Sequence, residues 1–185
     1  MFQGCTALVN FIVPDNVTLI GERAFQGCTN LKTLTFPASY KAETLSFGLT
    51  PFVSCPAFEG YVIEDGASIV RTEDGTLLAG GGKVLVSLPR DFKGTSYTVP
   101  DGVETISDYL FYKNTTITSV TLPASLKKIG TAAFQGCTKL TSIALPDGFT
   151  TLGEHAFDGC SGLKTVTFGQ SLTAVPDYAF SNCSA

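Results

Sequence analysis

The chain has no tryptophan, one methionine, one histidine and only 15% charged residues in 185 positions, where an average soluble domain carries about 25%. Each scarcity excludes something. His155, the sole imidazole, sits at a position that varies freely from repeat to repeat, so no Ser-His-Asp order is expected, and a zinc set with two or more histidines cannot be assembled. Lysine and arginine total 12 against 16 acidic residues, for a net charge of −4. No basic cluster is present, so neither a nucleic-acid partner nor an anionic membrane surface is expected. No apolar run approaches the roughly 18 residues of a membrane span, so direct membrane insertion is not expected either. No succession of charged, hydrophobic and small residues reads as a signal peptide at the start. Charge covers little of this surface; threonine, serine and glycine must cover the rest.

What the chain does have is a repeat. Phe134-Gln-Gly-Cys137 recurs as Phe157-Asp-Gly-Cys160 and Phe180-Ser-Asn-Cys183, and earlier as Phe2-Gln-Gly-Cys5 and Phe25-Gln-Gly-Cys28. Self-similarity at about 20 to 50 residues marks a solenoid or an array. Each unit opens on a strand phrase such as Leu31-Lys-Thr-Leu34-Thr-Phe36-Pro37, whose 34/36 alternation is the period of a half-buried strand. Proline ends the strand by withholding a ladder donor. A turn follows, then an apolar pair such as Val17/Ile20 or Leu126/Ile129. An Ala-Phe pair comes next, on what is expected to be a short helical turn held by packing.

Strand phrases begin at Leu8, Leu31, Phe58, Gly94, Ile117, Leu140 and Leu163. The step from one phrase to the next is constant except twice: it is longer from Leu31 to Phe58 and longest from Phe58 to Gly94. That predicts one β-rich (α/β) right-handed solenoid of about seven coils over residues 1–185, with a parallel sheet on one face and short helical turns on the other. The coil spanning 64–93 is enlarged. There, two apolar segments flank Gly80-Gly81-Gly82 and predict a β-hairpin. Both ends of the chain fall in mid-repeat, and it is expected to be a segment of a longer protein.

The run Leu-x-x-Leu-x-Phe-Pro, then Val-x-x-Ile-Gly-x-x-Ala-Phe-x-x-Cys, returning at the constant step that separates Leu140 from Leu163, resembles the BspA-like leucine-rich repeat. Asp74-Gly75-Thr76-Leu77 matches the hairpin often found between runs of such repeats. Departures are Asn114 for cysteine, Gly169 for proline, and the stretched loop from Ala38 to Pro51. The resemblance implies a leucine-rich-repeat array on a cell-surface or secreted protein, with a role in adhesion.

Six cysteines suggest a disulfide framework, but all six stand three places after the repeat phenylalanine position. Residues fixed by coil phase are packing residues. Stacked strands hold their Cβ vectors parallel at about 4.8 Å, whereas a disulfide needs them converging to about 3.8 Å. Reduced, buried thiols are therefore expected, with neither disulfide nor metal. Gly80-Gly81-Gly82-Lys83 lacks the flanking residues of a phosphate loop. His155 takes the place of Arg23, Tyr109, Ala132 and Tyr178 in other repeats, which reads as an unconstrained, solvated position. Glu64, Asp65, Glu73, Asp74 and Asp91 gather beside Arg71 and Arg90, the arrangement nearest to a glycan-cleaving site; turn chemistry and solubility explain the same residues. No catalytic residue and no cofactor is predicted.

The strand face offers a better site. Its outward positions include Lys32, Thr33 and Thr35; Thr118, Ser119 and Thr121; Thr141 and Ser142; and Lys164, Thr165 and Thr167. Stacked strands turn these into columns on the broad surface that repeat proteins use for binding. Hydroxyls and methyls without strong charge suit a protein or glycan ligand on a host or neighbouring cell. A structural spacer role fits the same composition, since threonine favours any solvated strand face. Ice binding by rows such as Thr33/Thr35 and Thr165/Thr167 is a further reading, set against rows broken at Asn10/Ile12 and Ser142/Ala144.

Overall fold

The computed structural model describes residues 2–48, 51, 52, 54–88 and 92–185. The chain divides into two compact units, Met1–Arg90 and Asp91–Ala185. The division falls inside the coil expected to be enlarged. Among the described residues the fold is a β-solenoid, about seven turns in all, with parallel sheets and almost no helix. Three turns belong to the first unit and four to the second.

In the first unit, strands β1 (Asn10–Ile12), β3 (Thr33–Phe36) and β5 (Gly60–Ile63) form one parallel sheet. The register aligns Phe11, Leu34 and Tyr61. Alternation decides which side chains point inward. Leu34 and Phe36 have no exposed surface, while Thr33 and Thr35 between them remain partly open. Each such apolar side chain contributes roughly 1.5–3 kcal/mol by leaving water. Two-residue strands β2 (Leu19–Ile20) and β4 (Ser46–Phe47) pair in a second parallel sheet.

After β5 the chain changes character. Strands β6 (Val70–Arg71), β7 (Leu77–Ala79) and β8 (Val84–Ser87) run antiparallel in sequence order. The β7–β8 connection is the expected glycine turn, a single 3₁₀ turn over Gly80–Gly82. All three glycines have positive φ, at 59°, 64° and 98°. At Gly80 a side chain is excluded twice, because a Cβ there would also strike the Glu43 carbonyl.

The second unit is the regular one. Strands β9 (Ser96–Thr98), β11 (Ser119–Thr121), β13 (Ser142–Ala144) and β15 (Thr165–Thr167) form a four-stranded parallel sheet. Strands β10 (Thr105–Ile106), β12 (Lys128–Ile129) and β14 (Thr151–Leu152) form a second one. The apolar pairs seen in the sequence thus supply a further parallel sheet, whose two-residue strands are too short to announce themselves by periodicity. The backbones approach closely here: a Cβ on Gly153 would meet the Gly130 carbonyl carbon and the Thr131 nitrogen.

Where short helical turns were expected, the chain makes successive hydrogen-bonded turns. A residue two places before the ladder phenylalanine takes left-handed φ in coil after coil: Arg23 (52°), Tyr109 (57°), Ala132 (52°), His155 (55°) and Tyr178 (59°). Three consecutive right-handed residues cannot form across it, so no helix starts. The residue before each cysteine position is left-handed too, as Gly27, Gly136 and Gly159, or as Ser54, Lys113 and Asn182 where glycine is absent.

Phenylalanine rings stack through each unit. Phe2, Phe25 and Phe52 lie 5.4 and 5.7 Å apart with planes within 8°. Phe111, Phe134, Phe157 and Phe180 follow at 4.7, 5.0 and 5.3 Å.

Candidate binding face

The sheet of each unit presents in-register columns. In the second unit Ser96, Ser119, Ser142 and Thr165 face one another across successive strands. Thr98 pairs with Thr121 and Ala144 with Thr167 in the next column. Ser119, Thr121, Ser142, Thr165 and Thr167 are exposed, as are Thr141 and Lys164. A third column is Thr95, Thr118, Thr141 and Lys164, in which the backbone N–H of each of the last three donates to the carbonyl of its neighbour in the previous coil.

The hydroxyls of these columns differ in availability. Thr118 Oγ1 donates to the Thr95 carbonyl at 2.9 Å and Thr141 Oγ1 to the Thr118 carbonyl at 3.3 Å. Those donors are spent within the protein. Ser119, Thr121, Ser142, Thr165 and Thr167 form no side-chain hydrogen bond among the described residues, which leaves their donors and acceptors to solvent or a ligand.

In the first unit the columns are Asn10, Thr33 and Gly60, and Ile12, Thr35 and Val62. Lys32 is exposed; Thr33 and Thr35 are half-buried. Thr33 Oγ1 donates to Asn10 Oδ1 at 2.9 Å. This face carries exposed aliphatics instead, with Ile12 66%, Val62 44% and Val9 43% accessible. Val62, Ser96 and Thr98 belong to the face although the sequence columns omit them. The alternations in Gly60-Tyr-Val-Ile63 and Ser96-Tyr-Thr98 carry the signal, but both follow enlarged stretches where the phase is harder to count.

No disulfide joins the cysteines, and the expectation of burial needs correction at two of them. Cys28, Cys55, Cys137 and Cys160 are buried, Cys183 is partly open and Cys5 is exposed. The thiols also do more than fill space. Cys28, Cys55, Cys137, Cys160 and Cys183 each donate to a ladder phenylalanine carbonyl in the preceding coil, at 2.9, 2.9, 3.1, 3.1 and 3.3 Å. That carbonyl already accepts the N–H three residues on, as Cys137 N to Phe134 O at 3.1 Å. Both lone pairs of a buried carbonyl are thus satisfied. Burial pushes the Cys28 and Cys183 thiols above the ordinary range, and hydrogen bonding with Cys137 followed by burial does so at Cys160. These are poor nucleophiles.

Two carboxylates of the hairpin region, Asp74 and Glu64, cap turns. Asp74 accepts from the Thr72 hydroxyl, from Thr76 N at 3.0 Å and from Thr76 Oγ1 at 3.2 Å. The Thr72 bond leads in holding its carboxyl below the usual range. Glu64 Oε2 accepts from Ala38 N at 3.0 Å. Arg90 and Asp91 lie outside the described residues. Among the described residues no group of three His, Cys, Asp or Glu side chains could hold a metal ion.

His155 is neither unconstrained nor simply solvated. Its φ is left-handed, its ring lies parallel to Tyr178 at 5.1 Å, and Nδ1 is 3.3 Å from Asp158 Oδ2. The sequence hides this because Arg, Tyr, Ala, His and Tyr share a backbone requirement and no side-chain property.

Comparison with known proteins agrees with this geometry. A leucine-rich repeat protein from Eubacterium ventriosum is similar over 95% of this chain and 64% of its own, at 20% identity and a TM-score of 0.60. The pneumococcal vaccine antigen PcpA is similar over 92% of this chain and 53% of its own, at 22% identity and a TM-score of 0.59. A leucine rich cell surface protein from Faecalibacterium prausnitzii matches over 99% and 59%, at 24% identity and a TM-score of 0.57. The chain spans less than two thirds of the length of each. No curated protein matches the sequence. The BspA type leucine rich repeat region is matched in six copies over residues 1–70 and 91–185. With nearly every coil accounted for, the chain belongs to the BspA-type leucine-rich repeat family.

Proposed function

We propose that this chain is a non-enzymatic recognition module, displayed on a cell surface or secreted, that binds a macromolecule through its strand faces. One observation carries the reading. The second unit aligns exposed hydroxyls in register over four strands and leaves most of them without a protein partner. Such a surface recognises a protein or glycan by many weak polar contacts added along the array. Family membership supports the location, as does the resemblance to a protein described as a leucine rich cell surface protein. The capping roles of Asp74 and Glu64 fit a non-enzymatic chain, since those carboxylates serve the turns.

Two alanine sets test it, one per unit: Lys32→Ala/Thr33→Ala/Thr35→Ala and Lys164→Ala/Thr165→Ala/Thr167→Ala. Binding is measured to immobilised extracellular-matrix proteins and cell-wall glycans, with folding checked by circular dichroism. The reading expects at least one set to weaken capture about tenfold, which corresponds to roughly 1.4 kcal/mol. Retained capture by both folded variants would move the site to the hairpin region 64–93. Absence of any capture by the unmodified chain would favour a spacer.

A further inference from the structure

The sequence contains Asp-Gly five times, as Asp65-Gly66, Asp74-Gly75, Asp101-Gly102, Asp147-Gly148 and Asp158-Gly159. In such a pair the glycine nitrogen can attack the aspartyl side chain, because no Cβ on the following residue shields it. The five pairs share this local sequence and are therefore alike in an unfolded chain. The fold makes them unequal.

Two are held shut. Asp74 accepts from Thr72 and Thr76, and Gly75 N donates to the Thr72 carbonyl at 2.9 Å. Asp158 accepts from Gln135 and Asn182, and Gly159 N donates to the Ser181 carbonyl at 2.8 Å. In both pairs the carboxylate and the nitrogen already have partners. Asp65, Asp101 and Asp147 are exposed, as are the glycines that follow them. Neither their carboxylates nor those glycine nitrogens form a hydrogen bond among the described residues.

Backbone conformation separates these three. Each aspartate takes the second place of a hydrogen-bonded turn, closed by Ala67 N to Glu64 O at 3.1 Å, Val103 N to Pro100 O at 3.3 Å and Phe149 N to Pro146 O at 3.0 Å. Gly66 and Gly102 have φ of 97° and 87°, which makes their turns type II. Gly148 alone of the five glycines stays out of the positive region, which makes its turn type I. Closing a five-membered ring brings the aspartyl ψ to about −120°, which is about 90° from the type I value and about 120° from the type II value. Asp147 starts nearest.

The structure assigns Asp147-Gly148 as a site of self-modification, at which the chain rearranges to isoaspartate. Gly148 N attacks Cγ of the protonated Asp147 carboxyl. An N–C bond forms, the nitrogen gives up its proton, and the carboxyl hydroxyl leaves as water. Water then opens the succinimide. Attack at the side-chain carbonyl restores aspartate, whereas attack at the main-chain carbonyl leaves the peptide running through Cγ with a free α-carboxylate. The main chain between β13 and β14 gains one carbon in that product. Gly169 of the next coil already packs on this turn, where a Cβ would lie 2.6 Å from Asp147 Cα. The longer turn therefore has to displace its contact with that coil.

The folded chain is kept for several weeks in mildly acidic heavy-oxygen water at physiological temperature, and each Asp-Gly peptide is then read by mass spectrometry. Every ring opening writes one heavy oxygen into the peptide, and electron-driven fragmentation distinguishes isoaspartate from aspartate. Label should enter at Asp147 about threefold or more faster than at Asp65 or Asp101, and slowest at Asp74 and Asp158. In urea the five rates should converge. Gly148→Ala should fold normally, because its φ accepts a Cβ and the nearest atom, the Ala124 carbonyl oxygen, would be 4.0 Å away. It should slow labelling at Asp147 about tenfold. A native rate at Asp147 no higher than at Asp65 and Asp101 would overturn the assignment. So would unchanged labelling in folded Gly148→Ala, or rates in urea spread as widely as in the native chain.

Discussion

The two units use the same repeat under different constraints. In the second, coils of equal length keep the ladder rings 4.7 to 5.3 Å apart, with Phe111, Phe134 and Phe157 at most 1% exposed. In the first, the step from Leu31 to Phe58 outruns the step from Leu8 to Leu31, and Phe52 remains in the stack but half-buried. Extra aromatics fill in around it: Phe58 stacks on Phe52 at 4.1 Å, and Phe47 and Tyr61 lie 6.0 and 6.3 Å away. A regular coil is thus held by identical neighbours above and below, and an irregular one by a local aromatic cluster. The same contrast marks the strand faces, where aliphatics stand out in the first unit and unpartnered hydroxyls in the second.

Truncating one ring in each unit tests this most severely. Phe134→Ala removes a side chain with no exposed surface, stacked on both sides, and should cost about 4 kcal/mol. Phe52→Ala should cost about 2 kcal/mol, because Phe58 and Tyr61 can close over a half-open site. Urea denaturation of the two variants measures both. Equal losses would mean that the local cluster is as tightly specified as the regular stack.

The thiols give a smaller and more selective contrast. Cys160→Ala deletes a buried sulfur and leaves the Phe134 carbonyl one donor short, for about 1–2 kcal/mol. Cys5 is exposed, and Cys5→Ala should stay within about 0.5 kcal/mol. Alkylation of the folded chain should follow the same order. Cys5 should react first, while Cys137 and Cys160 wait for unfolding. Rapid labelling of Cys160 would show that the second unit opens locally far more readily than its packing implies.

These contrasts also show what could be read in advance. Strand phase, outward columns, the glycine hairpin and the packing role of cysteine were legible because each follows from side-chain identity at a fixed period. Three features were not. The thiol acceptor is a backbone carbonyl, and a carbonyl leaves no mark in the sequence. The paired edges of β10, β12 and β14 are two residues long and carry no period. The left-handed turn at Arg23, Tyr109, Ala132, His155 and Tyr178 is a demand on φ, met by side chains of four kinds, so it reads as freedom when it is constraint. That last omission concealed the grouping of His155, Tyr178, Asp158 and Asn182 across neighbouring coils.

The subtlest difference between the units lies at the position after the ladder phenylalanine. In the first unit Gln3 Nε2 donates to Gln26 Oε1 at 3.0 Å, a neutral pair with no proton to lose or gain. In the second, the equivalent bond runs from Gln135 to the carboxylate of Asp158. The Asn182 hydrogen bond, followed by those from Gln135 and His155, holds the Asp158 carboxyl below its usual range against the effect of burial. A carboxyl whose pKa is lower folded than unfolded binds more protons in the unfolded state. Its stabilisation is therefore complete above the unfolded value near pH 4 and is lost as pH falls through the lower, folded value. Hydrogen exchange between about pH 5 and 3, corrected for intrinsic rates, should show the turns around Gly136 and Gly159 losing protection while the turn at Gly27 does not. Asp158→Asn should flatten that acid dependence in the second unit and leave the first unchanged. If both units lost protection in parallel in the unmodified chain, the acid sensitivity would not come from the Asp158 bridge between coils.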